Sequence, residues 1–333
     1  MSNRSTGHPH ESDSLFTPTP RRYMAPMTRN SLSRVLIAPL APLAPLVLIA
    51  PLALIALLTA CSGSADDSAP APTFDPNPPT EIGGDREAEV VLPANYAVDA
   101  EYPLVFLLHG YGVNADIQEV IFGLGQRVDD LGFILVKPEG TVDSTGSQFW
   151  NATEECCDFG NTGVDDVAYL SSLIDEARTL YPVSTVAFVG HSNGGFMSYR
   201  LACEVPEKID RIAVLAGAVY KDEADCAGTE PVSVLHVHGT LDDSVAYESD
   251  PGHAGAEESV GRWATKAGCT EPPTVLGTRD YLSRVDGEET TVSQWEGCAS
   301  GADVQLWSAV GADHTVIDVT NVWRDEVAAW ATR

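Results

Sequence analysis

Positive charge is scarce in this sequence. Its 333 residues carry 19 Lys and Arg against 48 Asp and Glu, a formal net charge of −29. Five of those cations (Arg4, Arg21, Arg22, Arg29 and Arg34) fall in the first sixty residues, so the remainder is more acidic still. Such a surface repels polyanions, which excludes nucleic acid and most anionic polymers as partners. The carboxylates read as a solvated coat suited to a salty medium, in preference to calcium ligands. The C-x-x-C spacing of a zinc site is missing. No internal repeat is visible, which excludes a solenoid.

What is there begins with a sorting signal. The arginines up to Arg34 precede an apolar run from Val35 to Ala60, closed by Leu58-Thr59-Ala60-Cys61. Basic, then apolar, then small is the order of an export signal. The repeated prolines of Ala-Pro-Leu speak against a membrane-spanning helix. The closing tetrapeptide resembles the lipobox of bacterial lipoproteins, which implies lipidation of Cys61, membrane attachment through that lipid, and a cell-surface, outer-membrane or extracellular location. Residues 61–80, rich in Ser, Pro and Asp, have little to bury and read as an extended linker. Residues 81–333 have the length of one α/β domain. Six cysteines remain there, and an even number in an exported chain favours disulfides. Cys269 with Cys298 is the favoured local pair, bracketing a loop-rich insert. Cys156 and Cys157 are expected to reach different partners, Cys203 or Cys226.

From residue 87 onward, short apolar runs alternate with amphipathic stretches. Strands are expected at 87–92, 102–108, 133–137, 184–189, 211–216, 232–237 and 304–310. Helices are expected at 115–128, 165–180, 195–202, 257–267 and 320–331. This alternation implies a doubly wound, mostly parallel sheet. Gly190-His191-Ser192-Asn193-Gly194 joins one of those strands to its helix. In that setting a G-x-S-x-G turn holds a serine hydroxyl above the sheet, as in the α/β-hydrolases.

A serine nucleophile needs a base, and the base needs an orienting carboxylate; in this fold they follow the serine in the order acid, then histidine. After the strand ending at Val237 comes His238-Gly-Thr-Leu-Asp-Asp-Ser-Val245, where either Asp242 or Asp243 fits. After the strand ending at Val310 comes Gly311-Ala-Asp-His-Thr315, which offers His314. His253 also follows the acid, but in a Pro-Gly-His loop with no strand to fix it. His236 and His238 face the same side of one strand, a pairing without the further ligands a metal needs. Two backbone N–H groups should receive the developing oxyanion. Asn193 supplies one, and Tyr111, in the His109-Gly-Tyr-Gly112 turn, is the candidate for the other.

Leu107-Leu-His-Gly-Tyr-Gly112, Phe149-Trp-Asn-Ala152, Cys156-Cys157, Val164-Asp-Asp-Val167, Gly190-His-Ser-Asn-Gly-Gly-Phe-Met-Ser198 and His238-Gly-Thr-Leu-Asp-Asp-Ser-Val245 occur in a familiar order. Over residues 88–330 the chain resembles the polyhydroxybutyrate depolymerase and feruloyl/acetylxylan esterase group of secreted α/β-hydrolases. The resemblance implies Ser192 as nucleophile, His314 as base and Asp242, rather than Asp243, as acid. It implies a small or polymeric carboxylic ester as substrate. The chemistry is that of an acyl-enzyme, needing no metal or organic cofactor, in a chain expected to be a monomer. Trp150 and His109 are candidates for substrate binding; Trp150 either stacks on an aromatic acyl group or a sugar, or is a buried aromatic anchoring the Cys156-Cys157 loop. Around the last histidine the group's glycine-rich run and tryptophan are replaced by Gly-Ala-Asp-His-Thr-Val316. A peptidase of the prolyl-oligopeptidase type shares fold and triad but carries a large extra domain that this length does not admit. A non-catalytic binding protein would need none of the three residues.

Overall fold

The computed structural model describes residues 73–315 and 318–333. The expected export signal, Cys61 and most of the expected linker lie outside them. Residues 73–80, also assigned to the linker, run along the domain: the Tyr181 hydroxyl donates to the Pro79 carbonyl at 2.6 Å.

In chain order the elements are β1 (Glu81–Ile82), β2 (Ala88–Val91), β3 (Tyr102–Leu108), α1 (Ala115–Phe122), α2 (Val128–Leu131), β4 (Ile134–Pro138), β5 (Thr141–Val142), β6 (Gln148–Phe149), α3 (Asp166–Leu180), β7 (Val183–His191), α4 (Asn193–Glu204), β8 (Arg211–Leu215), β9 (Ser233–Gly239), α5 (Ala256–Lys266), β10 (Thr274–Arg279), β11 (Thr290–Trp295), β12 (Val304–Ala309) and α6 (Asn321–Ala331). Ten strands form one sheet in the order β1-β2-β4-β3-β7-β8-β9-β12-β11-β10. The six central strands, β4 to β12 in that order, pair in parallel, and antiparallel partners extend both edges.

Composition explains the placement. β3 (YPLVFLL) sits in the middle of the sheet with apolar side chains covered on both faces, as a central parallel strand requires. Phe106 and Phe188 stack across β3 and β7 at 4.6 Å between ring centres. α3 buries the stripe Val167, Leu170, Leu173, Ile174 and Ala177, and Asp165 caps its start by accepting the Ala168 N–H at 2.9 Å.

Three expectations are corrected. The helix expected over 115–128 ends at Phe122, because Gly123 takes the left-handed conformation (φ 60°) and its N–H closes on Glu119, a glycine stop. The supposed loop-rich insert between Cys269 and Cys298 instead holds the antiparallel pair β10 and β11. β11 alternates imperfectly and β10 is largely exposed, so neither shows the apolar run of the buried strands. Finally, Cys156 and Cys157 bond to each other, leaving Cys203 to Cys226. α4 brings Cys203 to within 4.7 Å of Cys226 between Cα atoms, while Thr153 and Cys156 exchange backbone hydrogen bonds in the tight turn that carries the vicinal pair. Cys269 joins Cys298 as its position predicts.

Candidate active site

The strand-to-helix turn between β7 and α4 puts Ser192 at φ 52° and ψ −120°, a left-handed backbone that a serine seldom adopts. The turn is tight because its flanks are glycine. A Cβ on Gly194 would lie 2.3 Å from the Leu108 carbonyl oxygen, and one on Gly190 would lie 2.3 Å from the Gly194 oxygen. The Ser192 N–H donates to the Leu215 carbonyl at 2.8 Å, fixing the turn to β8.

Asp242 follows β9 and His314 follows β12, so both come from loops at the C-terminal ends of parallel strands. The structure brings them to the serine. Ser192 Oγ lies 2.9 Å from His314 Nε2, and His314 Nδ1 lies 2.7 Å from Asp242 Oδ2. Its neighbour Asp243 is exposed and faces Ser244. Asp242 Oδ1 accepts the N–H groups of Ser244 and Val245 at 2.9 and 2.8 Å, and His238 Nε2 stands 3.2 Å from Oδ2. Burial by itself would raise the pKa of this carboxyl. The hydrogen bonds from His238, His314 and the Val245 N–H outweigh burial and hold it well below the usual carboxylate range. His253 lies in the pocket wall, its Nδ1 bonded to the Ala254 carbonyl at 3.0 Å and its Nε2 3.3 Å from Asp250. His236 and His238 bond to each other at 2.9 Å.

The backbone of the 109–112 turn is held on both sides of Gly110. Gln118 Oε1 accepts the Gly110 N–H at 3.0 Å, and His109 Nδ1 bonds the Gly110 carbonyl at 2.8 Å. That carbonyl and the Tyr111 N–H belong to one planar peptide, so fixing one aims the other. Among the described residues no protein group accepts the Tyr111 N–H. The Asn193 N–H opens α4, where the first N–H groups have no partner within the helix.

His109 and Trp150 do not face the pocket, which sets His109 aside as a substrate-binding residue and leaves Trp150 with its second reading, a buried anchor. Both are fully buried. His109 Nε2 accepts the Gly140 N–H at 2.9 Å, and the Trp150 indole N–H donates to the His109 carbonyl at 3.0 Å. They brace the turn from behind. Burial, the largest influence, lowers the His109 pKa to about 4, so at neutral pH its Nδ1–H donates to Gly110 and its Nε2 accepts.

A cavity of about 500 Å³ opens over Ser192 and His314. Its walls are Tyr111, Phe159, Phe196, Val245 and the Cys156–Cys157 pair. Phe159 is 65% exposed and meets Tyr111 edge to face, 5.3 Å between ring centres. Glu155 and Asp250 line it too. Sequence reasoning missed Gln118, Phe159, Phe196 and the side chain of Asn193, since none stands in a chemically distinctive pattern. A glutamine four residues into a helix carries no signal of its own.

A doubly wound sheet with a strained serine between strand and helix, and an acid and a histidine after later strands, defines an α/β-hydrolase. A sequence profile described as Putative esterase matches residues 80–271, and the chain belongs to that family. It is 25% identical over 254 residues to a bifunctional acetylxylan esterase/xylanase of Neocallimastix patriciarum. That match covers 75% of this chain but 34% of the other, so the chain spans about a third of that relative's length. It is 28% identical to feruloyl esterase D of Neurospora crassa, over 71% of this chain and 76% of that one. Among solved structures, an acetyl xylan esterase from Aspergillus awamori superposes with a TM-score of 0.53 at 14% identity, covering 75% of this chain and 97% of that one, a likeness of fold.

Proposed function

We propose that the protein is an exported serine esterase that cleaves carboxylic esters of the feruloyl or acetylxylan type, with a preference for a bulky or aromatic acyl group. The contact that carries this reading is the line Ser192 Oγ, His314 Nε2, His314 Nδ1, Asp242 Oδ2, with steps of 2.9 and 2.7 Å. His314 takes the hydroxyl proton as Ser192 Oγ bonds to the ester carbonyl carbon, and the Tyr111 and Asn193 N–H groups receive the oxyanion. The carbonyl re-forms, the C–O bond to the alcohol breaks, and His314 returns the proton to the departing oxygen. Water then attacks the acyl-enzyme with the same base, releasing the acid and restoring the serine. Asp242, kept ionised, holds the His314 tautomer and balances its transient charge.

The acyl preference rests on the cavity. Three aromatic side chains and a disulfide around 500 Å³ leave far more apolar wall than an acetyl group uses. Tyr111 and Phe159 offer ring faces and edges to a planar acyl group. The three disulfides suit an oxidising compartment, in keeping with export and with attachment through Cys61.

The test is a set of initial rates on methyl ferulate, p-nitrophenyl acetate and a peptide anilide. Methyl ferulate should be turned over with the highest kcat/KM and the anilide not at all. Ser192→Ala should lower ester turnover by roughly 10⁴-fold or more with the fold intact. Phe159→Ala should raise KM for methyl ferulate several-fold, about 1 kcal/mol of lost stacking, and leave the acetate unchanged. Full activity in Ser192→Ala overturns the assignment of the nucleophile, and equal use of all three substrates overturns the acyl preference.

A further inference from the structure

Behind Asp242, on the side away from the pocket, the hydrogen bonding continues into the core. His238 Nε2 lies 2.9 Å from the Val245 carbonyl and 3.2 Å from Asp242 Oδ2. His238 Nδ1 lies 2.9 Å from His236 Nε2, and His236 Nδ1 lies 2.8 Å from the Tyr199 hydroxyl on α4. All four side chains are buried, and the two imidazoles stack with 9° between their planes. They are two apart on β9 and therefore share one face of the sheet.

The direction of the chain follows from its ends. A backbone carbonyl accepts and never donates, so His238 Nε2 carries a hydrogen, which it directs between Val245 and Asp242. With one proton on each ring, His238 Nδ1 is an acceptor and His236 Nε2 is its donor. His236 Nδ1 then accepts, and Tyr199 donates its hydroxyl hydrogen. Complete burial keeps His236 uncharged, with its pKa well below the ordinary histidine value. Every bond thus points the same way, from Tyr199 through His236 and His238 toward Asp242. Each donor in such a run is polarised by the one behind it.

Packing alone does not call for this. Apolar residues of similar shape would fill the space between β9 and α4 at little cost, because replacing both partners of a buried hydrogen bond is nearly neutral. What the polar residues add is a donor on the oxygen of Asp242 that also receives His314 Nδ1–H. We propose that Tyr199, His236 and His238 are positioning residues: a one-way donor chain that pins Asp242 Oδ2 toward His314 and limits how basic that carboxylate becomes. The proposal rests on the reading of Ser192, His314 and Asp242 as a triad. A carboxylate that lost this donor would hold the protonated His314 more tightly and release its proton less readily. The ionisable groups facing the chain are His314 and His191 on the site side, Tyr247, whose ring edges against His238 at 5.7 Å, and Tyr199 at the far end.

Three variants test it, read by kcat, KM and the pH profile of kcat/KM on p-nitrophenyl acetate, with thermal unfolding alongside. His238→Leu removes the donor and should lower kcat about tenfold at nearly constant KM while moving the acid limb of the profile to higher pH. His238→Gln keeps an N–H in reach of Asp242 and should recover most of kcat. Tyr199→Phe removes one oxygen at the end of the chain and should move the acid limb in the same direction by less. An acid limb and kcat like wild type in folded His238→Leu and Tyr199→Phe overturn the proposal, as does a His238→Gln variant no better than His238→Leu. If His238→Leu fails to fold, Tyr199→Phe decides alone: an unmoved acid limb counts against the chain. Ser192→Ala separates this from the triad itself, since its inactivity stands whatever the chain does.

Discussion

The side chain of Asn193 and the main chain of Trp150 bond to each other twice. Asn193 Oδ1 accepts the Trp150 N–H at 2.8 Å, and Asn193 Nδ2 donates to the Trp150 carbonyl at 2.8 Å. The residue whose N–H is proposed for the oxyanion thus also clamps the loop that carries the vicinal disulfide. Asn193→Ala should cost about 2–3 kcal/mol, because two buried main-chain groups lose their partners. It should also lower kcat, since the turn and the loop lose their common anchor. Chemical denaturation and steady-state rates check both; unchanged values in each would remove Asn193 from this role.

Asp242 and Asp243 separate cleanly in the structure, and their asparagine variants should do so in solution. Asp242→Asn deprives His314 of its anionic partner and should lower kcat by roughly 10³-fold or more. Asp243→Asn alters an exposed side chain and should stay within about twofold of wild type. The reverse ranking would reassign the acid.

Acid should destabilise this fold before it titrates the carboxylates. His109 and His191 are buried, and burial, the largest influence on each, lowers both to about pH 4. In the unfolded chain they take up protons near pH 6.5. Between those values the unfolded state binds more protons, so stability is fully present above about pH 6.5 and is lost as pH falls toward 4. The loss should be on the order of a few kcal/mol. The depressed Asp242 carboxyl adds a further loss at lower pH, in the same direction. Unfolding midpoints measured from pH 8 to pH 4 test this; a flat line across that range would refute it.

The Cys203–Cys226 bond spans 23 residues and ties α4 to the loop that follows β8. Replacing both cysteines with alanine should cost about 2–4 kcal/mol. Neither residue touches the pocket, so kcat should hold. A matching fall in kcat at a temperature where the variant is folded would show that α4 shifts with the bond.

The sequence announces whatever repeats a strong local rule. All seven expected strands appear within a residue or two, most of them because burial on both faces leaves little room for polar residues. Gly190 and Gly194 mark the serine turn because any side chain there strikes backbone. The edge strand β10 and its neighbour β11 carry no such signal, since a half-exposed strand tolerates almost any composition. Trp150 stays open between two readings in the sequence for a related reason. An aromatic next to a reactive loop reads the same whether it faces a ligand or props the loop from behind, and only burial separates the two. Pairing of the cysteines depends on distances that no local pattern encodes.

Ser192 sits in a backbone conformation that costs side-chain-bearing residues about 1–3 kcal/mol and costs glycine little. Ser192→Gly should therefore be inactive yet at least as stable as wild type in thermal unfolding. The position of Ser192 keeps the native chain off its own stability maximum, and the rest of the elbow, from the Ser192 N–H on Leu215 to the packed glycines, acts as a spring held compressed.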